Sequence, residues 1–239
     1  MFGLSMFAEA ALSPDFKGYR FIYDDTEKGC QFDLEAFFGQ DMAQRLEPPR
    51  LDKENGFPAY SEFLEDFYFS VDDAIKDGRP FIYILDSIDG LDSIADSDKF
   101  EKDKSAHRSG KEVSGSYGMS RAKLNSSQLR RLATRLEESG SLVFILSQTR
   151  TNPGFGYVEK TTAGGKALEF YATTALWFSR VKALKKTVEG QEREVGQITR
   201  FEIKKNRVTG QRAKVEVPLY ITYGLDDLRS CVDYLVDED

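Results

Sequence analysis

Three apolar runs in this sequence stop abruptly at side chains able to do chemistry. Tyr19-Arg20-Phe21-Ile22-Tyr23 gives way to Asp24-Asp25-Thr26-Glu27, Phe81-Ile82-Tyr83-Ile84-Leu85 to Asp86-Ser87, and Leu142-Val143-Phe144-Ile145-Leu146 to Ser147-Gln148-Thr149-Arg150. An acid such as Asp86, directly after a buried strand, is what a Mg²⁺–nucleotide site needs, because a hard cation prefers oxygen ligands and often takes a carboxylate through water. Asp also caps helices, so the pattern alone leaves both readings open. Glu27 is placed to orient or deprotonate a water attacking a γ-phosphate, with a solvated loop acid as the alternative. Gln148 can hydrogen-bond that phosphate and relay its presence into the segment that follows; taken alone it reads as a polar strand end.

The hydrophobic pattern supplies elements to position these groups. Residues 2–12 read as a helix ended by Ser13-Pro14, and residues 31–46 and 60–77 as two more, separated by a loop from Glu47-Pro48-Pro49 to Pro58. Continuous apolar runs such as 81–85 and 142–146 mark strands buried on both faces of a parallel sheet. Residues 92–118, rich in Ser, Asp, Lys and Gly, read as a long mobile loop, and 119–138 as a helix with Leu124, Leu129, Leu132 and Leu136 at helical spacing. After a Gly-rich stretch, 151–165, come a helix at 166–172 and strands at 173–182, 197–208 and 213–222, the first two joined by a turn near Glu189-Gly190-Gln191. The fold expected is one α/β domain, a mainly parallel central sheet flanked by helices with an antiparallel C-terminal edge. Functional groups then gather at the carboxyl ends of the parallel strands.

Composition bounds what such a domain can do. The chain of 239 residues carries 33 basic and 40 acidic side chains, a net charge of -7, so any nucleic-acid contact must use a local basic patch. Cys30 and Cys231 lie far apart and match no metal-ligand spacing, which implies a reduced, cytoplasmic protein. No apolar run approaches the ~20 residues needed to cross a bilayer. The opening residues lack the basic start of a signal peptide and carry Glu9 inside their apolar stretch. His107, the single histidine, has no partners for metal or catalytic work.

Thr161-Thr162-Ala163-Gly164-Gly165-Lys166-Ala167-Leu168-Glu169-Phe170-Tyr171-Ala172, read with the three strand ends, resembles the RecA recombinase family. Asp25-Thr26-Glu27 is similar to the family's acid-x-acid strand end, within a phage-recombinase-like string from Tyr23 to Gly29. Ile84-Leu85-Asp86-Ser87 resembles its magnesium (Walker B) strand, and Ser147-Gln148-Thr149-Arg150 stands where the family has an N-Q-x-R-like run. Lys204-Lys205-Asn206-Arg207 resembles its K-N-K element and Tyr220 to Gly224 its strand ending in Y-G. Order and spacing agree across about residues 1–236.

The resemblance implies a RecA-like P-loop ATPase core using ATP and Mg²⁺, with roles carried over position by position. Glu27 becomes the carboxylate for water. Asp86, with Ser87 beside it, holds Mg²⁺ through its hydration shell. Gln148 couples nucleotide state to DNA. Lys205 and Arg207 act on a neighbouring subunit's nucleotide in trans. Phe170 falls at a subunit interface or, alternatively, in the core. Segments 92–118 and 150–165 match the two DNA-binding loops in position. The first interleaves Lys99, Lys102, Lys104, Arg108 and Lys111 with acids; the second offers Arg150, Phe155, Tyr157, Lys160, Gly164 and Gly165 to single-stranded DNA.

No G-x-x-x-x-G-K-[ST] motif occurs, and Gly164-Gly165-Lys166 has neither the spacing nor the hydroxyl to replace it. The expectation is therefore a core truncated just after its phosphate-binding loop, inactive toward ATP as this chain alone and self-associating into a filament in its full-length form. Two other functions stay open: an ATPase-dead accessory module that binds DNA or a partner, and a hexameric helicase-type ATPase of the same fold.

Overall fold

A computed structural model of the protein describes residues 1–31, 33–109, 119–154, 157–162 and 165–237. By their internal contacts these form two compact units, Gly3–Tyr171 and Ala172–Asp239 together with Met1–Phe2.

In the larger unit, helix α1 (Phe2–Leu12) precedes strand β1 (Arg20–Asp25). The helix expected over 31–46 is broken into α2 (Leu34–Phe38) and α3 (Gln40–Arg45) by Gly39, whose φ of 87° ends one helix and starts the next. The short strands β2 (Leu46–Glu47), β3 (Arg50–Leu51) and β4 (Pro58–Ala59) lead to α4 (Leu64–Lys76). There the Asp66 carboxylate reaches back to accept from the Glu62 and Phe63 N–H groups at 3.1 and 3.0 Å, capping the helix start. Strand β5 (Phe81–Asp86), helices α5 (Ile94–Arg108) and α6 (Met119–Ser139), strand β6 (Leu142–Ile145), the pair β7 (Thr149–Gly154) and β8 (Tyr157–Thr162), and helix α7 (Gly165–Tyr171) complete the unit.

The central sheet has the order β2-β1-β5-β6, every pair parallel. Alternation sends its side chains into two cores. Ile22, Tyr83 and Leu85 pack with Phe67, Val71 and Ala74 of α4 and Leu132 of α6. Phe21, Tyr23, Ile82 and Ile84 pack with Leu4 and Phe7 of α1 and Met42 of α3. Phe81 to Leu85 are all buried, as a strand covered on both sides requires.

Two segments differ from their sequence reading. Of the loop expected over 92–118, residues 94–108 are helical and 110–118 lie outside the described residues. Ser93 caps this helix by accepting from the Asp96 N–H, and Ala95, Glu101, Lys102, Lys104 and Ala106 are strong helix formers. Its packed side is polar, so no apolar periodicity announces it. The Gly-rich second segment begins as a β-hairpin, registered from Thr149 opposite Thr162 to Gly154 opposite Tyr157. β-branched Thr149, Thr151, Val158, Thr161 and Thr162 favour that pairing.

The smaller unit is an antiparallel sheet, β12-β11-β10-β9, built from β9 (Thr174–Val188), β10 (Gln191–Asn206), β11 (Lys214–Tyr220) and β12 (Gly224–Leu225). It closes with helix α8 (Asp227–Asp237), where Leu228, Val232 and Leu235 stand at helical spacing and the sequence reading placed no element. Phe2, Phe178 and Phe201 form a ring cluster on it, with centroids 4.8–5.4 Å apart. Gly196 sits at a register shift in β10, where any side chain would collide with the Leu219 carbonyl oxygen.

Candidate functional site

The parallel register places Asp25 opposite Asp86 at the carboxyl ends of β1 and β5. Two carboxylates side by side would repel, and each is occupied by its own donors. Asp25 accepts from the N–H groups of Gly29 (3.1 Å) and Cys30 (2.9 Å), which folds residues 25–30 into the turn that carries Glu27. Lys28 takes a φ of 53° inside that turn. Asp86 Oδ2 accepts from the Tyr23 hydroxyl at 2.8 Å. Burial, and then the hydrogen bond to Asp86, push the Tyr23 phenol well above its usual range, so it stays a donor.

Thr26 and Glu27 tie the two strand ends together. The Thr26 hydroxyl lies 2.8 Å from the Ser87 carbonyl oxygen, 3.1 Å from that of Asp86, and accepts from the Ser87 N–H at 3.0 Å. The Ser87 hydroxyl donates to Glu27 Oε1 at 2.5 Å. Glu27 is exposed, as a group that must meet a water has to be, while Ser87 is only 4% exposed. Beside them an open cleft is lined by Thr26, Lys28, Arg50, Phe57, Tyr60 and Gly90 among others.

The third strand end joins through Asp89. Its Oδ2 accepts from the Gln148 N–H at 2.7 Å, and the Gln148 side chain is exposed. Arg121, near the start of α6, donates to the Ile88 carbonyl, and its own N–H reaches Asp96 of α5 at 3.3 Å. Residues 87–90 are thus held by β1, α6 and the end of β6 together.

One buried carboxylate lies behind the site. Asp24, fully inaccessible, accepts from the Ser61 N–H (2.9 Å) and hydroxyl (2.6 Å) and from the Tyr83 hydroxyl (2.6 Å). Burial, then the Asp24 charge, hold the Tyr83 phenol far above its usual range. Sequence reasoning missed Tyr23, Ser61, Asp89 and Arg121, and placed Asp24 at the strand end without separating it from Asp25. The available signal was a tyrosine at the end of one apolar run and in the middle of another, since a buried hydroxyl calls for a partner.

The other expected site residues are distributed as follows. Lys205 is half-buried near the end of β10, next to a register shift at Lys204, and Arg207 is exposed with its N–H bonded to the Thr173 carbonyl at 2.9 Å. Phe170, on α7, is 64% exposed and meets Tyr171 edge-on at 5.0 Å, so it is not a core residue of its unit. Arg150, Tyr157 and Lys160 belong to the β7–β8 hairpin, and Gly165 opens α7. Phe155 and Gly164 lie outside the described residues. His107 falls in the last turn of α5.

Among the described residues no group of three or more His, Cys, Asp or Glu could hold a metal by itself. A Mg²⁺ that keeps several waters and is held mainly by a ligand's phosphates needs only one or two protein carboxylates. Asp86 fits that demand, because its Oδ1 has no hydrogen-bond partner among the described residues while Oδ2 is fixed.

A parallel α/β core with two carboxylates meeting at neighbouring strand ends belongs to the class of open-sheet folds that gather their functional groups at the carboxyl ends of the strands. The family profile described as RecA N-terminal domain matches residues 101–226, more than half of the chain. The chain belongs to the RecA family. Curated relatives, each called Protein RecA, include those of Mycobacterium ulcerans (31% identical over 170 residues, 70% of this chain and 44% of the relative) and Bartonella bacilliformis (28% over 185 residues, 77% and 48%). That of Nocardia farcinica is 34% identical over 133 residues, 53% of this chain and 37% of the relative. The chain therefore spans less than half the length of these relatives. No helix among the described residues is long and apolar enough to cross a membrane.

Proposed function

We propose that this chain is the greater part of the ATPase core of a RecA-like, DNA-dependent ATPase that binds single-stranded DNA as a filament for homologous recombination and DNA repair. The observation that carries the reading is the junction of Glu27, Ser87 and Asp86 at the carboxyl ends of β1 and β5. In it Glu27 orients or deprotonates the attacking water. Asp86, with Ser87 beside it, holds Mg²⁺ through water; Mg²⁺ and ATP supply the charge neutralisation and the transferred phosphate when bound. Gln148 couples nucleotide state to the hairpin that follows it. Arg150, Phe155, Tyr157, Lys160, Gly164 and Gly165 contact the single strand, cations on phosphates and aromatics on bases. Phe170 serves a subunit interface, and Lys205 and Arg207 act on the neighbour's nucleotide.

The test is a titration of labelled single-stranded DNA by fluorescence anisotropy, with and without ATP and Mg²⁺. Binding is expected, falling steeply with salt because phosphate contacts release counterions. A chain that leaves the single strand free under both conditions removes DNA binding from its own residues. Binding that tightens with ATP and Mg²⁺ supports the nucleotide site directly, whereas indifference to ATP confines the chain's own activity to DNA.

A further inference from the structure

We propose that Tyr23 is a positioning residue for the divalent cation: its hydroxyl, donated to Asp86 Oδ2, holds that carboxylate to a one-oxygen contact and so selects Mg²⁺-sized ions over larger ones. The inference rests on the reading of Asp86 as the Mg²⁺ carboxylate and goes beyond it by naming what sets that group's geometry.

Three observations carry it. The phenol is a fixed donor, since Tyr23 is 7% exposed and packed against Phe21, Met42, Ile82 and Ile84. It reaches Oδ2 at 2.8 Å, whereas Oδ1 has no hydrogen-bond partner among the described residues. The neighbouring carboxylate cannot substitute, because both oxygens of Asp25 are engaged by the Gly29 and Cys30 N–H groups. The strand ends therefore offer a cation one oxygen of Asp86, in one orientation. Mg²⁺ demands near-octahedral geometry with single-oxygen or water-mediated contacts, whereas Ca²⁺ readily takes a carboxylate through both oxygens. Pinning one oxygen favours the first ion and disfavours the second. A donor behind a carboxylate is also the arrangement by which outer contacts tune metal affinity.

Tyr23→Phe keeps the ring in its core and removes only the donor. The measurement is Mn²⁺-induced broadening of the amide signals of residues 84–90 in the isotope-labelled chain, with millimolar ATP present and Ca²⁺ as competitor. In the unaltered chain Mn²⁺ is expected to broaden these signals and Ca²⁺ to reverse the effect poorly. Tyr23→Phe should raise the Mn²⁺ concentration for half-effect by about tenfold and let Ca²⁺ compete better, with the thermal midpoint of unfolding followed in parallel. Asp86→Asn should abolish the broadening. If Asp86→Asn abolishes it and Tyr23→Phe leaves both the half-effect and the Ca²⁺ competition unchanged, Tyr23 has no positioning role and only this proposal falls. If Asp86→Asn changes nothing, or the unaltered chain shows no broadening, the reading of Asp86 fails and takes the proposal with it. A Tyr23→Phe chain that loses thermal stability but keeps the Mn²⁺ to Ca²⁺ preference makes the hydroxyl structural only, which also overturns it.

Discussion

Asp24 is a carboxylate with no accessible surface and three donors, two from Ser61 and one from Tyr83. A buried carboxyl group without partners would carry the full cost of leaving water, and these three donors offset it. Through Ser61 it fixes the chain just before α4, and through Tyr83 it links β1 to β5 immediately behind the Glu27–Ser87 contact. Tyr83→Phe should therefore cost about 2 kcal/mol of stability, the penalty of leaving a buried acceptor short of its donor. Urea unfolding monitored by circular dichroism checks this, and an unchanged midpoint would remove Asp24 as a point of cohesion. From the sequence, Asp24 and Asp25 looked like one acidic strand end. Only the alternation of the strand separates them, sending Asp24 into the core with Tyr83 and Asp25 to the face shared with Asp86. The roles of Asp89 and Arg121 were not legible either, because they arise where three elements meet, and no spacing within one segment encodes that meeting.

At the scale of elements, helices α4 and α6 are joined by an apolar seam and by one charged node. Asp72 of α4 lies against Arg131 and Arg135 of α6, with Lys76 one turn further along its own helix at 2.6 Å. Hydrogen bonds from Lys76 and then Arg135 hold the Asp72 carboxyl down at about 2, from its usual 3.8. A depressed folded-state value contributes stability that is present above the unfolded value and lost as pH falls through the folded one. Asp72→Asn is expected to lower stability by about 1 kcal/mol or less at neutral pH, because the cations are largely solvent-screened. The gap to the unaltered chain should close between about pH 4 and pH 2. Unfolding curves at several pH values test this; a gap that stays constant to pH 2 would assign the loss to packing instead of charge. The central strands and α4 were legible because their apolar periodicity is strong. Helix α5 was not, since its inward side carries Asp96, Lys99 and Asp103, and helix-forming residues without an apolar stripe look like loop. The hairpin at 149–162 hid for a related reason: its glycines suggested mobility, while the chain pairs from Thr149 opposite Thr162 to Gly154 opposite Tyr157.

At the scale of the whole molecule, the proposed chemistry divides between the two units. Glu27 and Asp86 belong to the unit 3–171, and Lys205 and Arg207 to the unit 172–239. Under the proposed function the two cations serve a neighbour's nucleotide, so a working site takes its carboxylates from one protomer and its cations from the next. Cations that stabilise a transferring phosphoryl group in this way are worth about 10³-fold or more in turnover. Lys205→Ala and Arg207→Ala in the full-length protein should each remove DNA-dependent ATP hydrolysis to that extent while leaving single-strand binding intact. Glu27→Gln should do the same by removing the carboxylate for water. The decisive measurement mixes the Lys205→Ala protein with the Glu27→Gln protein. Where a protomer that keeps Glu27 lies next to one that keeps Lys205, every group required is present, so ATPase activity lost in both pure proteins should return in part on DNA. A mixture as inactive as its components would mean that Lys205 acts on the nucleotide of its own protomer or not at all, and the trans role would have to be given up even if both single variants are dead.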